Sequence, residues 1–475
     1  MNSPGADFSF FWHDYETFGV VPRRDRPAQF AGVRTDADLN EIEAPLTLYC
    51  RPAADMLPVP EACLVTGITP QVCQQRGVAE RDFADAIEVQ LARPGTVGCG
   101  YNSLRFDDEV TRFLFWRNLI DPYAREWQNE CGRWDLLDTV RCAWALRPDG
   151  IQWPAHDDGK PSFRLEHLTR ANGLAHEAAH DALSDVRATL ALARLVKDRQ
   201  PRLWAHCLKL HRKQAVIDEM GIGRPFLHLS GRYPVERGCM AVVWPLAPHP
   251  FFKNEVIVWD LAHDPAELFA LNAKAIRERL FTSADALPSG QARLPIKTIH
   301  LNKSPIVIGN LKTLGPATAR WQVDVDQALR HAEVAARQAN SMAGIWPEVF
   351  ERAAAEKAVD VDEDLYGGFL DNEDRRALQR LRALPPERLA ERRPAFNDPR
   401  LEELLLRFRA RNHPDTLRAD ERAHWQAHCR LRWQDAPTWL ERIAVLEASA
   451  DRRGLELLGE LRRWAQTVQV DPALQ

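Results

Sequence analysis

No run in this 475-residue chain approaches the ~18 consecutive apolar residues of a membrane-spanning helix, which argues against a membrane protein. Residues 1–7 carry no basic side chain, so no signal peptide is expected. The nine cysteines are odd in number and form no Cys-x-x-Cys pair. That argues against a disulfide framework and a zinc site, and for the reduced thiols of a cytoplasmic protein. Cys142 and Cys207, in apolar helical settings, read as core. Internal repeats and low-complexity tracts are also missing. So is bulk positive charge, since the formal net charge is −5. That charge is uneven: Lys and Arg against Asp and Glu give −8 over residues 1–200, +6 over 201–330 and −3 over 331–475. An acidic segment can hold cations and a basic one phosphates, the asymmetry a nucleic-acid enzyme uses. The length exceeds the roughly 250–300 residues at which one core stops growing, so two or three domains are expected.

What the chain does contain is three short acidic segments in a fixed order. The first is an aromatic-rich run, Phe8 to Thr17, closed by Gly19, which reads as a strand carrying Asp14-x-Glu16. Residues two apart on a strand share a face, so the two carboxylates project together. They repel unless a cation sits between them, and oxygen-only ligands favour Mg²⁺ or Mn²⁺ over Zn²⁺. Two solvated acids at a strand end would look the same in isolation. The second segment runs from an apolar, glycine-containing stretch through Asn102 to Phe106 and Asp107, at the start of an amphipathic run. Acids in a first helical turn are favoured by the helix dipole alone, so Asp107 has a purely structural reading as well. The third is His180-x-x-x-x-Asp185 at the start of a helix over 181–197, with Ala182, Val186, Leu190 and Leu195 available for its apolar side. With three distant carboxylates, His180 becomes a candidate base.

These segments, Asp14-x-Glu16, Asn102-x-x-x-Phe106-Asp107 and His180-x-x-x-x-Asp185, resemble the three motifs of the DEDD exonuclease superfamily, and the third resembles its histidine branch. The stretches around His13–Gly19, Asp25–Phe30, Thr66–Pro70 and Pro161–Leu168 are similar to bacterial exonuclease I. The resemblance is dense over about the first 200 residues and thinner to the C-terminus, and none of the five catalytic positions departs from it. It implies 3′→5′ degradation of single-stranded DNA to 5′-mononucleotides, in DNA repair and recombination. Asp14, Glu16, Asp107 and Asp185 would hold two Mg²⁺ ions, with Mn²⁺ as a substitute. His180 would act as general base, and Glu16 would also touch the terminal 3′-hydroxyl. Arg164, otherwise readable as a surface helix arginine, becomes a phosphate clamp.

The expected fold is α/β. A ribonuclease H-like exonuclease domain with a mixed sheet spans 1–200, an SH3-like β-barrel domain 201–350 and an α-helical domain 351–475; the first and second of these types are implied by the resemblance. Strands are expected at 8–14, 29–35, 46–51 and 97–101, and helices at 110–118, 136–145, 165–172 and 181–197. Short strands follow at 225–230, 240–245, 255–260, 295–301 and 306–309, interrupted by a single helix at 273–280. From about 325 the chain reads as helical, most clearly at 401–411, 421–433 and 455–468.

A single strand needs basic walls and aromatic platforms. Arg112, Tyr123, Trp127, Phe163, Arg164 and Arg141 are candidates near the active site, and Lys213, His300, Asn302 and Lys303 further away. Fifteen Trp residues exceed what a plain core requires, so some are expected to be exposed for stacking, although most are expected to be core. The resemblance also implies docking of the acidic C-terminal tail of the single-stranded-DNA-binding protein. Segment 201–330, the basic stretch near Arg141 and the helices at 316–340 are candidate places for it. A monomer is expected. Two other functions share these motifs: a 3′→5′ exoribonuclease, and a non-catalytic nucleic-acid-binding protein on a nuclease fold.

Overall fold

The computed structural model describes residues 8–176, 180–342, 344–351, 359–391 and 394–470. By its internal contacts the chain forms two units: Met1–Gly132 with His176–Leu190 and Lys357–Gln475, and Arg133–Ala175 with Ala191–Glu356. The C-terminal helices are therefore part of the first unit, although the sequence reads as three successive domains.

The first sheet contains β1 (Ser9–Thr17), β2 (Pro27–Thr35), β3 (Leu46–Tyr49), β4 (Thr96–Gly100) and β5 (Gly132–Asp135), in the order β3-β2-β1-β4-β5. β1 runs antiparallel to β2 and parallel to β4, the mixed sheet expected of the ribonuclease H-like class. β1 and β2 show little polar alternation because both faces are covered. β1 also runs three residues beyond its expected end, so Asp14 and Glu16 lie within the strand rather than at its tip.

The helix Asp107–Arg117 begins three residues before its expected start, taking Asp107, Asp108 and Glu109 into its first turn. It is buried nearly all round, which explains its weak amphipathic signal. Val110, Leu114 and Phe115 pack against Phe11, Tyr15, Phe30 and Phe83. Phe113 and Trp116 pack on the opposite side against Leu365, Leu378, Leu401, Leu404 and Phe408 of the C-terminal helices. A second seam joins Phe18, Met56, Cys63 and Cys73 to Trp433, Trp439, Leu458 and Trp464. The short helices Pro60–Thr66, Pro70–Arg76 and Glu80–Leu91 were not legible in the sequence. On the helix Ala182–Arg199, Ala182, Val186 and Leu190 are buried as expected. Leu195 is only half-buried, and Leu192, Ala193 and Val196 carry the face onward. The helical repeat of 3.6 residues has moved the apolar stripe past Leu195 by that point.

In the second unit, β6 (Phe226–Leu229), β7 (Met240–Pro248), β8 (Glu255–Asp260), β9 (Ile296–His300) and β10 (Ile306–Ile308) form an antiparallel sheet ordered β10-β6-β7-β8-β9. With β10 and β9 as its two edges it is a half-barrel, the small SH3-like barrel that the short strands led one to expect. Two helices rather than one interrupt it, because a short Ala266–Phe269 precedes Ala273–Phe281. Twelve of the fifteen Trp side chains are buried, and Trp127 is the exposed one. The tryptophan surplus is mostly core.

Within the first unit, buried charges join the C-terminal helices to the exonuclease segment. Arg411 bonds Asp55 at 2.7 Å and also Asp362; Arg26 reaches the same two carboxylates at 3.1 and 3.4 Å, and Arg407 reaches Asp362 at 3.1 Å. Burial alone would raise the carboxyls of Asp55 and Asp362. The guanidinium charges of Arg411 and Arg26 outweigh it and hold both well below the usual carboxylate range. Asp55, Asp362 and His428 lie close enough to chelate a metal, but these guanidinium groups already neutralise the acids. Removing one partner of such a buried network leaves an uncompensated charge. Arg411→Met is therefore expected to lower stability by about 3–5 kcal/mol, read from the urea midpoint at pH 7. Because the folded carboxyls titrate below their unfolded value of about 3.9, their stabilisation is complete above that pH and is lost as pH falls below it. The wild type should lose stability below about pH 4 more steeply than the variant does.

Candidate active site

The site grows from the end of a strand pairing. β4 accompanies β1 only as far as the Trp12–Cys99 pair. The chain then turns through Asn102, whose φ of 64° lies in the left-handed region that Asn tolerates better than most residues, and enters the helix Asp107–Arg117. Beyond β4, the Tyr15 backbone N–H has lost its strand partner and donates instead to Asp107 Oδ1 at 3.1 Å. This bond fixes Asp107 beside β1. The Tyr15 hydroxyl meets Thr111 Oγ1 at 3.0 Å, and Thr111 donates to the Asp107 carbonyl at 2.8 Å, which ties the helix's first turn to the strand.

Strand alternation separates the β1 side chains. Phe11, His13 and Tyr15 face an aromatic cluster with Phe30, and Asp14 and Glu16 share the other face. Glu16 pairs in register with Gln29 on β2. Gln29 reaches onward, donating to Asp181 Oδ2 at 3.2 Å and accepting from the Ala182 N–H at 3.2 Å. Asp181 Oδ1 accepts from the Ser184 N–H at 3.1 Å and closes the start of the third helix. One cross-strand pair thus sets the third segment beside the first. His180, with a φ of 67°, donates its N–H to Asp185 Oδ2 at 3.2 Å. Ligand atoms of Glu16, His180 and Asp185 all lie within 4.8 Å of one another. His176 Nε2 stands 2.5 Å from Asp185 Oδ1.

The electrostatics differ in sign from those of the buried network. Burial, and then the charges of Asp107, Glu16 and Asp185, push Asp14 well above its usual range. Burial, and then Asp185 and Asp181, push Glu16 up to about 8. Burial raises Asp185 too, although His176 partly offsets it. A cluster of oxygen donors whose strongest electrostatic neighbours are other carboxylates fits a hard divalent cation such as Mg²⁺ or Mn²⁺. His13 is no base for this site, because burial lowers it to about 4 and it sits among aromatic rings. His180 is exposed and remains the available imidazole.

The expected strand-binding residues are distributed as follows. Trp127 is exposed, and Tyr123 is half-buried with its ring 5.8 Å from that of Phe369. Arg112 is buried and occupied: it grips Glu126 through two bonds of 2.7 and 3.0 Å, bonds Glu109 at 2.8 Å, and lies over the Tyr123 ring. In the second unit Arg141 lies over the Phe163 ring, and Arg164 is exposed. Lys213 donates to Asn254 Oδ1 at 2.6 Å, and the Asn254 carbonyl accepts the Leu301 N–H at 2.7 Å. Lys213 is thereby joined to the turn bearing His300, Asn302 and Lys303. Gln29, His176 and Asp181 went unread in the sequence. The alternation that put Asp14 and Glu16 on one face could have pointed to Gln29 once β2 was paired, and His176 stands four residues before His180.

Three family models match consecutive parts of the chain: Exonuclease over residues 11–193, Exonuclease I SH3-like domain over 211–352 and Exonuclease I C-terminal domain over 359–468. The chain belongs to the exonuclease I family. Exodeoxyribonuclease I of Haemophilus influenzae is 44% identical over 455 residues, which cover 94% of each protein. Among solved structures, exonuclease I from Methylocaldum szegediense superposes with a TM-score of 0.92 at 48% identity, covering 97% of this chain and 99% of that one. Escherichia coli exonuclease I in complex with a dA16 oligonucleotide gives 0.92 at 40% identity, with coverages of 97% and 100%. Family membership makes this enzyme an exodeoxyribonuclease, with the mixed-sheet nuclease, SH3-like and helical parts that the motifs implied.

The raised carboxyls have a measurable consequence. An acid whose folded pKa exceeds its unfolded value costs stability as pH rises from the unfolded value, about 4.3 for Glu, toward the folded one. The metal-free enzyme should therefore lose stability between about pH 5 and 8, where Glu16 is forced to ionise, and the raised Asp14 carboxyl acts in the same direction. Mg²⁺ should relieve this, so the rise in melting temperature on adding Mg²⁺ is expected to be larger at pH 8 than at pH 6. An equal rise at both, or none, would remove these acids from the metal site.

Proposed function

We propose that this enzyme degrades single-stranded DNA from the 3′ end to 5′-mononucleotides, in DNA repair and recombination. The observation that carries the reading is the convergence of Asp14, Glu16, Asp107 and Asp185 on one buried patch, with exposed His180 at its rim. Those four carboxylates would hold two divalent ions, Mg²⁺ or Mn²⁺. When bound, the ions supply charge stabilisation for the phosphate and a more acidic attacking water. A solved zinc-bound E. coli exonuclease I complex with single-stranded DNA supports divalent-ion binding in this family.

His180 accepts the proton of the attacking water, and its left-handed backbone together with the N–H bond to Asp185 aims the ring. Glu16 also meets the terminal 3′-hydroxyl. Tyr123, Trp127 and Phe163 offer stacking faces. Arg112 contributes by holding the Tyr123 ring, since its guanidinium is taken up by Glu126 and Glu109. Arg141 and Arg164, then Lys213, His300, Asn302 and Lys303, meet the backbone of the strand. In this reading segments 1–200, 201–350 and 351–475 act as the functional parts of a cytoplasmic monomer.

The test uses end-labelled single-stranded DNA and the matching RNA, each with Mg²⁺ and with EDTA. DNA is expected to shorten from its 3′ end only with Mg²⁺, and preferential loss of the RNA would favour an exoribonuclease instead. Asp14→Asn should abolish hydrolysis with binding retained. His180→Ala should lower turnover by about 10²–10⁴-fold with metal affinity unchanged; a loss confined to metal binding would make His180 a ligand.

The tail of the single-stranded-DNA-binding protein is the proposed partner, supported by a solved structure of that protein with exonuclease I. Such a tail calls for an apolar pocket with a basic rim. In the second unit a cavity of about 540 Å³ lined by Leu146, Arg147, Arg202, Leu203, His206 and Ile308 has that character. A labelled tail peptide should bind in an anisotropy titration and bind more weakly at higher salt, because much of the attraction is between exposed charges. Binding that survives removal of the peptide's last residue would count against this docking.

A further inference from the structure

His176 belongs to none of the three motifs, yet its ring contacts a catalytic carboxylate. Its Nε2 lies 2.5 Å from Asp185 Oδ1, and its side chain is only 7% exposed. The other Asp185 oxygen, Oδ2, receives the His180 backbone N–H at 3.2 Å. Both oxygens of this acid are therefore held from the protein side, one by a ring and one by the backbone four residues further on.

We propose that His176 is a positioning residue that orients Asp185 for metal binding. The inference rests on the assignment of Asp185 as a metal ligand. A carboxylate that binds a divalent cation is ionised and can only accept hydrogen bonds, so the proton in this contact resides on His176 Nε2. With that donor on Oδ1 and the His180 N–H on Oδ2, rotation of the carboxyl about its last bond is blocked, and the lone pairs left over point in fixed directions. Asp185 needs this more than its partners do. Asp14 and Glu16 stand on a strand held in register by β2, whereas Asp185 lies in the first turn of a helix, just after the turn that carries His180. Hydrogen-bond partners of ligating groups contribute about 10–100-fold to metal affinity or activity in general. His176 and His180 thus divide the work: the covered ring fixes a ligand, and the exposed ring faces the reaction.

The test measures Mn²⁺ binding by calorimetry on the full chain without DNA, and melting temperature alongside, for the wild type, His176→Ala, His176→Gln and Asp185→Asn. His176→Ala should bind Mn²⁺ about 10–100-fold more weakly. The Mg²⁺ concentration for half-maximal activity should rise by a similar factor while kcat at saturating Mg²⁺ changes far less. His176→Gln, which still presents an N–H near Asp185, should recover most of the loss. Unchanged Mn²⁺ affinity in His176→Ala would overturn the proposal. So would a Gln variant as weak as Ala with melting temperature lowered in both, the mark of a merely structural side chain. If Mn²⁺ binding survives Asp185→Asn, the assignment of Asp185 as a ligand fails first and the proposal falls with it. If Asp185→Asn loses binding while His176→Ala keeps it, only the role of His176 is refuted.

Discussion

Four carboxylates forced together without a compensating cation side chain are the constraint around which this enzyme's first unit is organised. The same unit contains a second buried group of acids, Asp55 and Asp362, and the contrast is instructive. There Arg26, Arg407 and Arg411 surround the carboxylates and hold them ionised, which fastens the C-terminal helices to the exonuclease segment. At Asp14, Glu16 and Asp185 the strongest neighbouring charges on the first two are other acids, and burial and repulsion push the protons on. One cluster is complete as protein; the other is built for a cation from outside. Geometry alone would not separate them, since each can bring ligand atoms within chelating distance. The charge of the second sphere does.

The structure that holds the acids together depends on one unfinished hydrogen-bond ladder and one side-chain amide. β1 outlasts β4, and the freed Tyr15 N–H captures Asp107. Gln29, paired with Glu16 across the β1–β2 ladder, spends its amide on the start of the third helix. Neither bond involves a motif residue on both sides. Three segments separated by about 90 and about 75 residues of chain are thereby brought to one strand by bonds to backbone N–H groups, which must be satisfied when buried, rather than by attraction between acids that repel.

Much of this was legible beforehand for physical reasons that can be named. Asp14 and Glu16 share a face because strands alternate, and Asp185 follows His180 into a helix whose Ala182, Val186 and Leu190 repeat correctly. The strands of the half-barrel stood out because Pro and Gly punctuate them. What stayed hidden lacked a local signal. The helix Asp107–Arg117 is apolar on two sides because a C-terminal core covers its outer face, and no periodicity within eleven residues announces a partner more than 250 residues away. For the same reason the packing of the C-terminal helices against the exonuclease segment left no local signal. Tryptophan behaves as expected, mostly interior with Trp127 exposed.

Three histidines near the site show how surroundings, rather than residue type, assign roles. His13 is adjacent in sequence to Asp14, but strand alternation turns it into an aromatic cluster where burial keeps it neutral down to about pH 4. His176 is covered and bonded to Asp185. His180 is exposed, carried on a left-handed residue and set within reach of Glu16 and Asp185. A proton acceptor must meet water, must not be committed to another bond and must stand beside the reacting phosphate. Burial denies the first condition to His13 and the bond to Asp185 denies the second to His176, which leaves the exposed His180 as the proposed acceptor.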